Sequence, residues 1–396
     1  MSVDDSHKPP AVLDGDIVFA CHNSGFTFSE AFEKWALNNE EKVSAAMSEL
    51  IQAGSDIIST PTATANSLML ERHGMADDCE EINRKLLEIT VAAVRKSGKA
   101  LKIAGKIGPT GATVEPFGEN SFTELISAYD KQVKILEEDV DLFLIENVTS
   151  VWDMRAAVIS CKKAEKPVLI TVAVDEDGLT VQHRVPAKAA LIMLQEMGID
   201  GFGACCDTTK ICTKIIDELL PYAKVPLIAK TASSEEPSEL VELIKSGVDY
   251  VGAFELNTVT KLSLLSKDNF TTKNEVEKED TSFIFTYDGQ IYFLEPDTTE
   301  ISEAVECLPE MEDAITEACK QSVDILRVRI NTADDAFDFA RNAHMATIPV
   351  MFTSHNELAL KMALMLYQGR ALIDSDTSIS QEELKDIAEK YGAVIY

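Results

Sequence analysis

At 396 residues the chain exceeds one typical domain and has room for a barrel of about 250 residues plus a smaller unit. Its 67 acidic residues against 36 basic ones leave a formal charge of −31, a field that repels nucleic acid and anionic membrane surfaces and favours solubility. No segment approaches the roughly 20 apolar residues of a membrane span, the opening MSVDDSHKPP lacks the apolar heart of a signal peptide, and eight cysteines without paired spacing fit a reducing compartment; the expectation is a cytoplasmic protein with no nucleic-acid or membrane partner.

Short apolar runs rich in Val and Ile alternate with longer helical patterns. The candidate strands, in order, are DIVFA from Asp16, SDIIST from Ser55, LKIAGKI from Leu101, DLFLIEN from Asp141, PVLITVAV from Pro167, IDGFGAC from Ile199, VPLIAK from Val225 and VDYVGAF from Val248. Between them, SEAFEKWALNNEEKVSAAMSELIQAG has helical spacing and a terminal Gly, and PSELVELIKSG repeats the design with Pro and Ser at its start. Strand and helix alternating about eight times predict a (β/α)8 TIM barrel over residues 13–265, with a doubly wound open sheet as the alternative. No glycine-rich dinucleotide fingerprint follows the first strand. Residues 266–280, SKDNFTTKNEVEKED, are polar and without period and read as a linker. A small α/β domain is then expected over residues 281–396, opening with a hairpin turned at Asp288-Gly289 and ending in the strand AVIY.

In such a barrel, functional side chains gather at the carboxyl ends of the strands. Those ends hold Cys21-His22-Asn23, Thr60-Pro61-Thr62, the stretch GKIGPTG from Gly105, Glu146-Asn147, Asp175 with His183 in the following loop, Cys205-Cys206-Asp207, Lys230-Thr231 and Phe254-Glu255. Thiol, imidazole and carboxylate groups on one face favour zinc over a harder cation. Glu146 follows DLFLI, a run too apolar to carry a charge by accident. The adjacent Cys205 and Cys206 are either buried small hydrophobes or a pair of which one points into the site, because neighbouring cysteines bridge each other badly. Cys79, Cys161, Cys212, Cys307 and Cys319 lie in helical patterns and are expected to be structural.

Several stretches carry a resemblance. GKIGPTGATVEPFG, LIENVTSVWDMRAAV, GSDIISTPTATAN, IDGFGACC and GVDYVGAFELNT resemble, respectively, the third-, fourth-, second-, sixth- and eighth-strand motifs of the homocysteine S-methyltransferase family. The resemblance covers the first two thirds of the chain. It implies a zinc barrel for methyl transfer, with Cys206 as the first thiolate ligand and Cys205 packing. The chain departs from the family where paired zinc cysteines belong: Phe254-Glu255 stand there, followed by Leu256. Where the family has Asp-Gly-x-x-Gly at the first strand, the expected counterpart here is Ala-Cys-His-Asn-Ser-Gly. A three-thiolate site is therefore ruled out, and a Zn2+ on Cys206, Glu255 and His183 would be a stronger Lewis acid.

These features frame an expected function. The chain is expected to move a methyl group from a small methylated donor, a methyl ether or similar, to a corrinoid carried by a partner protein, in the manner of corrinoid-dependent demethylase methyltransferases. Glu146 and His22 would be the catalytic pair that orients the donor, with Asn23, Thr62 and Asn147 lining the substrate site. The chain has no Asp-x-His-x-x-Gly corrinoid motif of its own. The alternatives are homocysteine methylation with an altered metal site and a non-catalytic barrel scaffold. The acidic carboxyl-terminal domain would dock the corrinoid protein or form a homodimer.

Overall fold

The computed structural model describes residues 9–233, 236–269, 276–282, 284–287, 290–295 and 297–396. Two compact units result: residues 1–113, 123–187 and 199–278 form the first, and residues 114–122, 188–198 and 279–396 the second.

The first unit contains a parallel eight-stranded sheet. Its strands are β1 (Ala11–Val12), β2 (Ile57–Ser59), β3 (Lys102–Ile107), β4 (Leu142–Val148), β5 (Val168–Ala173), β6 (Gly201–Thr208), β7 (Leu227–Ser233) and β8 (Tyr250–Ala253). They run in the order β1-β8-β7-β6-β5-β4-β3-β2, and Leu13 bridges Ile57 to bring the first strand back to the second. The helices in chain order are α1 (Ile17–His22), α2 (Phe32–Asn38), α3 (Glu40–Gln52), α4 (Ser67–Glu71), α5 (Cys79–Ser97), α6 (Phe122–Leu136), α7 (Val151–Cys161), α8 (Ala187–Glu196), α9 (Thr209–Leu219), α10 (Pro237–Lys245) and α11 (Leu256–Asn269). The architecture is the (β/α)8 barrel expected from the alternation.

Every expected strand but the first overlaps an observed one. DIVFA is helical instead: it forms most of α1, and the barrel's first strand lies upstream at Ala11–Val12. The β-branched run reads as a strand, yet Asp16 accepts a hydrogen bond from Phe19 N as an N-cap, and Ile17 and Cys21 bury one face at helical spacing. The long second pattern splits at Asn39 into α2 and α3, and Gly54 beyond it has φ +97°, the left-handed geometry suited to ending the segment. Helix α11 continues to Asn269, so the linker expected at 266–280 begins within a helix; residues 270–275 of that stretch lie outside the described residues.

Inside the barrel, Leu13, Ile57, Ala104, Leu142, Leu144, Leu169 and Ile228 form a dry apolar cluster. The stretch GPTG after β3 is pinned from behind. Asp153, on the first turn of α7, accepts from Thr110 N at 3.0 Å, Thr110 Oγ1 at 2.7 Å, Tyr129 Oη at 2.7 Å and Ser150 Oγ at 2.9 Å. All four residues are buried, so without the carboxylate the Thr110 and Ser150 donors would be stranded, while Tyr129 Oη would keep the Gly108 carbonyl at 3.1 Å.

The second unit opens with an antiparallel hairpin, β9 (Ile284–Tyr287) with β10 (Gln290–Phe293); the turn residues Asp288 and Gly289 lie outside the described residues. A parallel sheet follows, ordered β11 (Val305–Glu306), β12 (Leu326–Arg329), β13 (Val350–Thr353), β14 (Leu372–Ile373) and β15 (Val394–Ile395), with α12 (Glu312–Cys319), α13 (Ala333–Asn342), α14 (Glu357–Leu366) and α15 (Gln381–Tyr391) as crossovers. Phe285 of the hairpin packs with Ile325, Met351 and Leu372. Buried Arg370 donates to the carbonyls of Thr281, Ile284 and Gly392, tying hairpin and sheet together. Cys307, expected within a helix, instead follows β11, because its segment supplies the sheet's edge strand. Among the described residues no helix is long and apolar enough to cross a membrane.

Asp153→Ala should destabilise the protein by about 3–5 kcal/mol, the cost of stripping the acceptor from a buried charged cluster, whereas Tyr129→Phe should cost only about 1 kcal/mol. Urea unfolding of both variants checks this, and equal effects would mean that Asp153 does not organise the cluster.

Candidate active site

The carboxyl-end half of the barrel interior is charged. Lys106 lies on β3, Glu146 on β4 and Lys230 on β7, and Asp14 follows β1 directly. Glu146 sits between the two lysines: Lys106 Nζ is 2.9 Å from Oε2, and Lys230 Nζ is 2.5 Å from Oε1. All four residues are buried, at 1% exposure for Asp14, 3% for Lys106, 3% for Glu146 and 0% for Lys230.

Local backbone features aim these groups inward. Between β4 and β5, Ile145 pairs with Ile170 while Val148 pairs with Val172, so β4 carries one extra residue at Glu146-Asn147. Asn147 takes φ 61°, a left-handed conformation that Asn tolerates better than most residues. Such a bulge bends the strand and redirects a side chain at a barrel rim. Lys106 is held by the hydroxyls of its neighbour strand: its N–H donates to Thr60 Oγ1 at 2.9 Å, and its carbonyl accepts from Thr62 Oγ1 at 2.7 Å. Lys230 runs past Gly252 of β8, where a Cβ would lie 3.5 Å from Lys230 Cγ and 3.0 Å from Leu13 Cβ. Its ammonium also sits 5.0 Å from the Phe254 ring centroid, a cation–π contact.

The electrostatics follow from burial and pairing. Burial alone would raise the Glu146 carboxyl, but the attraction and hydrogen bonds of Lys106 and Lys230 outweigh it and hold the group down to about 2. Burial would likewise lower Lys106, yet Glu146, Asp14 and Asp16 hold its ammonium above the ordinary lysine range. Asp14 goes the other way: burial pushes its carboxyl up despite both lysines, while Ser59 N and Ser59 Oγ donate to it at 2.7 and 2.8 Å.

The two adjacent cysteines take opposite sides of the barrel wall, as strand pleating demands. Cys205 pairs in register with Lys230 and feels Glu146 and Lys230, so it faces the interior; burial first, then Glu146, pushes its thiol up to about 12. Cys206 is hydrogen-bonded to Cys212 of α9, behind the sheet, and that bond together with burial pushes its thiol far above the usual range. This reverses the expected assignment, in which Cys206 faced the site and Cys205 packed.

The other expected site residues divide. His22 ends α1 rather than a strand, is exposed, and bonds through Nδ1 to the Phe26 carbonyl at 2.8 Å, with its ring beside Phe28, so it turns to the loop that follows its own helix and not to Glu146. Asn23 is the exposed C-cap of the same helix. The Thr62 hydroxyl bonds to Thr60 and to the Lys106 carbonyl, which makes it a brace for β3. Asn147 occupies the bulge beside Glu146. His183 docks on the loop after β4, with Nδ1 3.0 Å from Thr149 Oγ1 and its ring edge-on to Trp152 at 4.9 Å, and burial lowers its imidazole below the ordinary range. Glu255 is half-buried after β8, and its carbonyl accepts from Thr258 N and Val259 N at the start of α11. Cys206, Glu255 and His183 therefore do not assemble into a zinc site: among the described residues no three His, Cys, Asp or Glu side chains are placed to hold a metal ion.

Lys106, Asp14 and Lys230 are the groups that motif reasoning passed over. Lys230 stood at an expected strand end without a role, and Lys106 lay within the GKIGPTG motif. Asp14 was hidden by the misplaced first strand. With β1 at Ala11–Val12 and Leu13 bridging Ile57 just beyond it, Asp14-Gly15 matches the Asp-Gly pair of the family's first-strand motif, and Val18 stands at its last glycine.

Fold and site together define a parallel (β/α)8 barrel that presents a lysine–carboxylate cluster at the carboxyl ends of its strands. The profile of the homocysteine S-methyltransferase family matches residues 11–253, and the chain belongs to that family. Betaine–homocysteine S-methyltransferase 1 of Danio rerio is 26% identical over 208 residues, covering 51% of this chain and 50% of that protein; the Mus musculus protein of the same name is 26% identical over 199 residues, 49% and 47% of the two chains. The chain thus spans about half the length of the curated relatives it matches. The metallated homocysteine methyltransferase MmuM from Escherichia coli shares the barrel fold, with a TM-score of 0.57 at 15% identity over 65% of this chain and 96% of that one.

Glu146→Gln should cost about 3–5 kcal/mol at pH 7, since it leaves two buried ammonium groups unpaired. A depressed carboxylate contributes stability that is fully present above its unfolded pKa of about 4.3 and is lost as pH falls towards the folded value of about 2. The difference between wild type and variant should therefore shrink over that interval. Urea unfolding at pH 7, 4 and 2.5 measures it, and a gap independent of pH would show that Glu146 is not the ionised centre of the cluster.

Proposed function

We propose that the chain is a methyltransferase that takes a methyl group from a small methylated donor, a methyl ether or similar, and passes it to a corrinoid carried by a separate protein. Family membership supports methyl transfer as the class of chemistry. The observation that carries the finer reading is the pair of buried ammonium groups on Glu146, in a barrel whose expected thiolate ligand faces away from the interior.

Methyl transfer is an in-line displacement. The nucleophile's electron pair forms the new bond to carbon, and the old carbon–oxygen bond breaks with its pair going to oxygen. Two demands follow: an acceptor that is already nucleophilic, and stabilisation of the departing oxyanion. The residues of this barrel address the second. Lys106 and Lys230 supply fixed positive charge in a water-excluded layer, where it acts more strongly than in water. Glu146 keeps both side chains extended towards one another and prevents their mutual repulsion from displacing them. Cys205 stays a neutral thiol beside Lys230, so it does not compete as a nucleophile. The first demand falls to the acceptor: with no ligand set assembled among the described residues to lower the pKa of a substrate thiol, a reduced corrinoid, which arrives as a strong nucleophile, fits better than homocysteine. The acidic surface is compatible with docking a basic face of the protein that carries it.

The test is an anaerobic assay of the purified protein with free cob(I)alamin and a panel of methyl ethers and methylamines, read as methylcobalamin absorbance, beside an assay for methionine from homocysteine. Methylcobalamin formation that falls roughly 100-fold or more in Lys230→Met, the scale set by loss of one oxyanion-stabilising donor, is the expected result. Methionine formation without any methylcobalamin would overturn it.

A further inference from the structure

The charged layer has donor capacity that its own carboxylates do not use. An ammonium group carries three N–H donors. Glu146 takes one from Lys106 and one from Lys230, one on each of its oxygens. Asp14 adds its field to both lysines, but its own oxygens accept from Ser59 N and Ser59 Oγ. A second observation lies on the adjacent wall. Thr171 of β5 is fully buried, and its hydroxyl has only the weakly hydrogen-bonding Cys205 sulfur beside it. It belongs to the same neighbourhood, beside Cys205, which in turn lies by Glu146 and Lys230. Buried polar groups left unpaired cost about 1–3 kcal/mol each, so a layer of this kind is stabilised by a ligand that brings acceptors.

We propose that Lys106 and Lys230 bind the anionic oxygen group of a small carboxylate or oxyanion ligand, with Thr171 as a further contact, so that the electrophilic element of this barrel is a lysine pair where the family resemblance led to a zinc ion. The oxygens of such a group accept from both ammonium ions and from the Thr171 hydroxyl. A cation would meet two ammonium groups whose charge the single Glu146 carboxylate offsets only in part, and a neutral ether brings acceptors without charge. The chain as a whole carries −31, so an anion finds favourable potential only where cations are gathered and screened from the surface field. This rests on the reading of the barrel as the donor-binding site, and it narrows the donor to methylated compounds that bear an acidic oxygen function.

Calorimetric titration of the full chain tests it with three probes: methoxyacetate, an anionic methyl ether; 2-methoxyethanol, its neutral counterpart; and tetramethylammonium. Methoxyacetate should bind at least 10-fold more tightly than the other two, and EDTA treatment should leave that binding unchanged. Lys230→Met should weaken it at least 10-fold, as should Thr171→Val by a smaller factor. Lys230→Met still leaves Glu146 paired with Lys106, and circular dichroism reports whether it folds; if it does not, the ranking of the three probes on wild type decides alone. Equal binding of the neutral and anionic ethers, no methoxyacetate binding, or binding lost with EDTA and restored by zinc overturns the proposal. Methyl transfer is read separately: anion binding without transfer to cob(I)alamin rejects the donor-to-corrinoid reading alone, while transfer from neutral ethers without anion binding rejects the lysine-pair proposal alone.

Discussion

One carboxylate shared between two buried lysines governs this barrel. Lys106 and Lys230 reach Glu146 from β3 and β7, strands separated by β4, β5 and β6, so the pair spans the interior. Two like charges in a low-dielectric interior repel strongly, and an unpaired buried charge costs several kcal/mol. Glu146 removes both penalties at once. The surrounding features can be understood as conditions for that geometry: the bulge at Asn147 that turns Glu146 inward, the threonines that fix the Lys106 backbone, and the missing side chain at Gly252 beside the Lys230 stem.

The layering of the interior follows the same constraint. An apolar cluster fills one part of the barrel, and charge is confined to the carboxyl-end half, where loops can admit a ligand. Behind the wall, Asp153 gathers the donors of Thr110, Tyr129 and Ser150 and so fixes the loop that leaves β3 four residues after Lys106. A group at the mouth is thereby held by strands on one side and by a buried hydrogen-bond cluster on the other.

Family and active-site chemistry separate in this molecule. The barrel places the chain in the homocysteine S-methyltransferase family, yet among the described residues no three His, Cys, Asp or Glu side chains are placed to hold a metal ion. Cys206 is the clearest instance: it stands in the expected motif, but its free thiol lies against that of Cys212 in the layer between sheet and helix. A motif match fixes position along a strand; a shift of one residue in pleat phase exchanges inside for outside.

Periodicity alone was enough for the barrel class, for seven of its strands within about three residues, and for the hairpin and α/β alternation of the second unit, because burial of one face imposes period 2 on strands and 3.6 on helices. Glu146 was also legible, as a lone charge ending an apolar run. Three things were decided only in three dimensions. Residues 16–20 became helix because a cap at Asp16 and the burial of Ile17 and Cys21 outweighed β propensity. Cys205 and Cys206 took their sides from the register of β6 against β7, which pairs Cys205 with Lys230. Asp14, Lys106, Glu146 and Lys230 came together although they span more than 200 positions of sequence, since closure of the sheet and not proximity along the chain makes them neighbours.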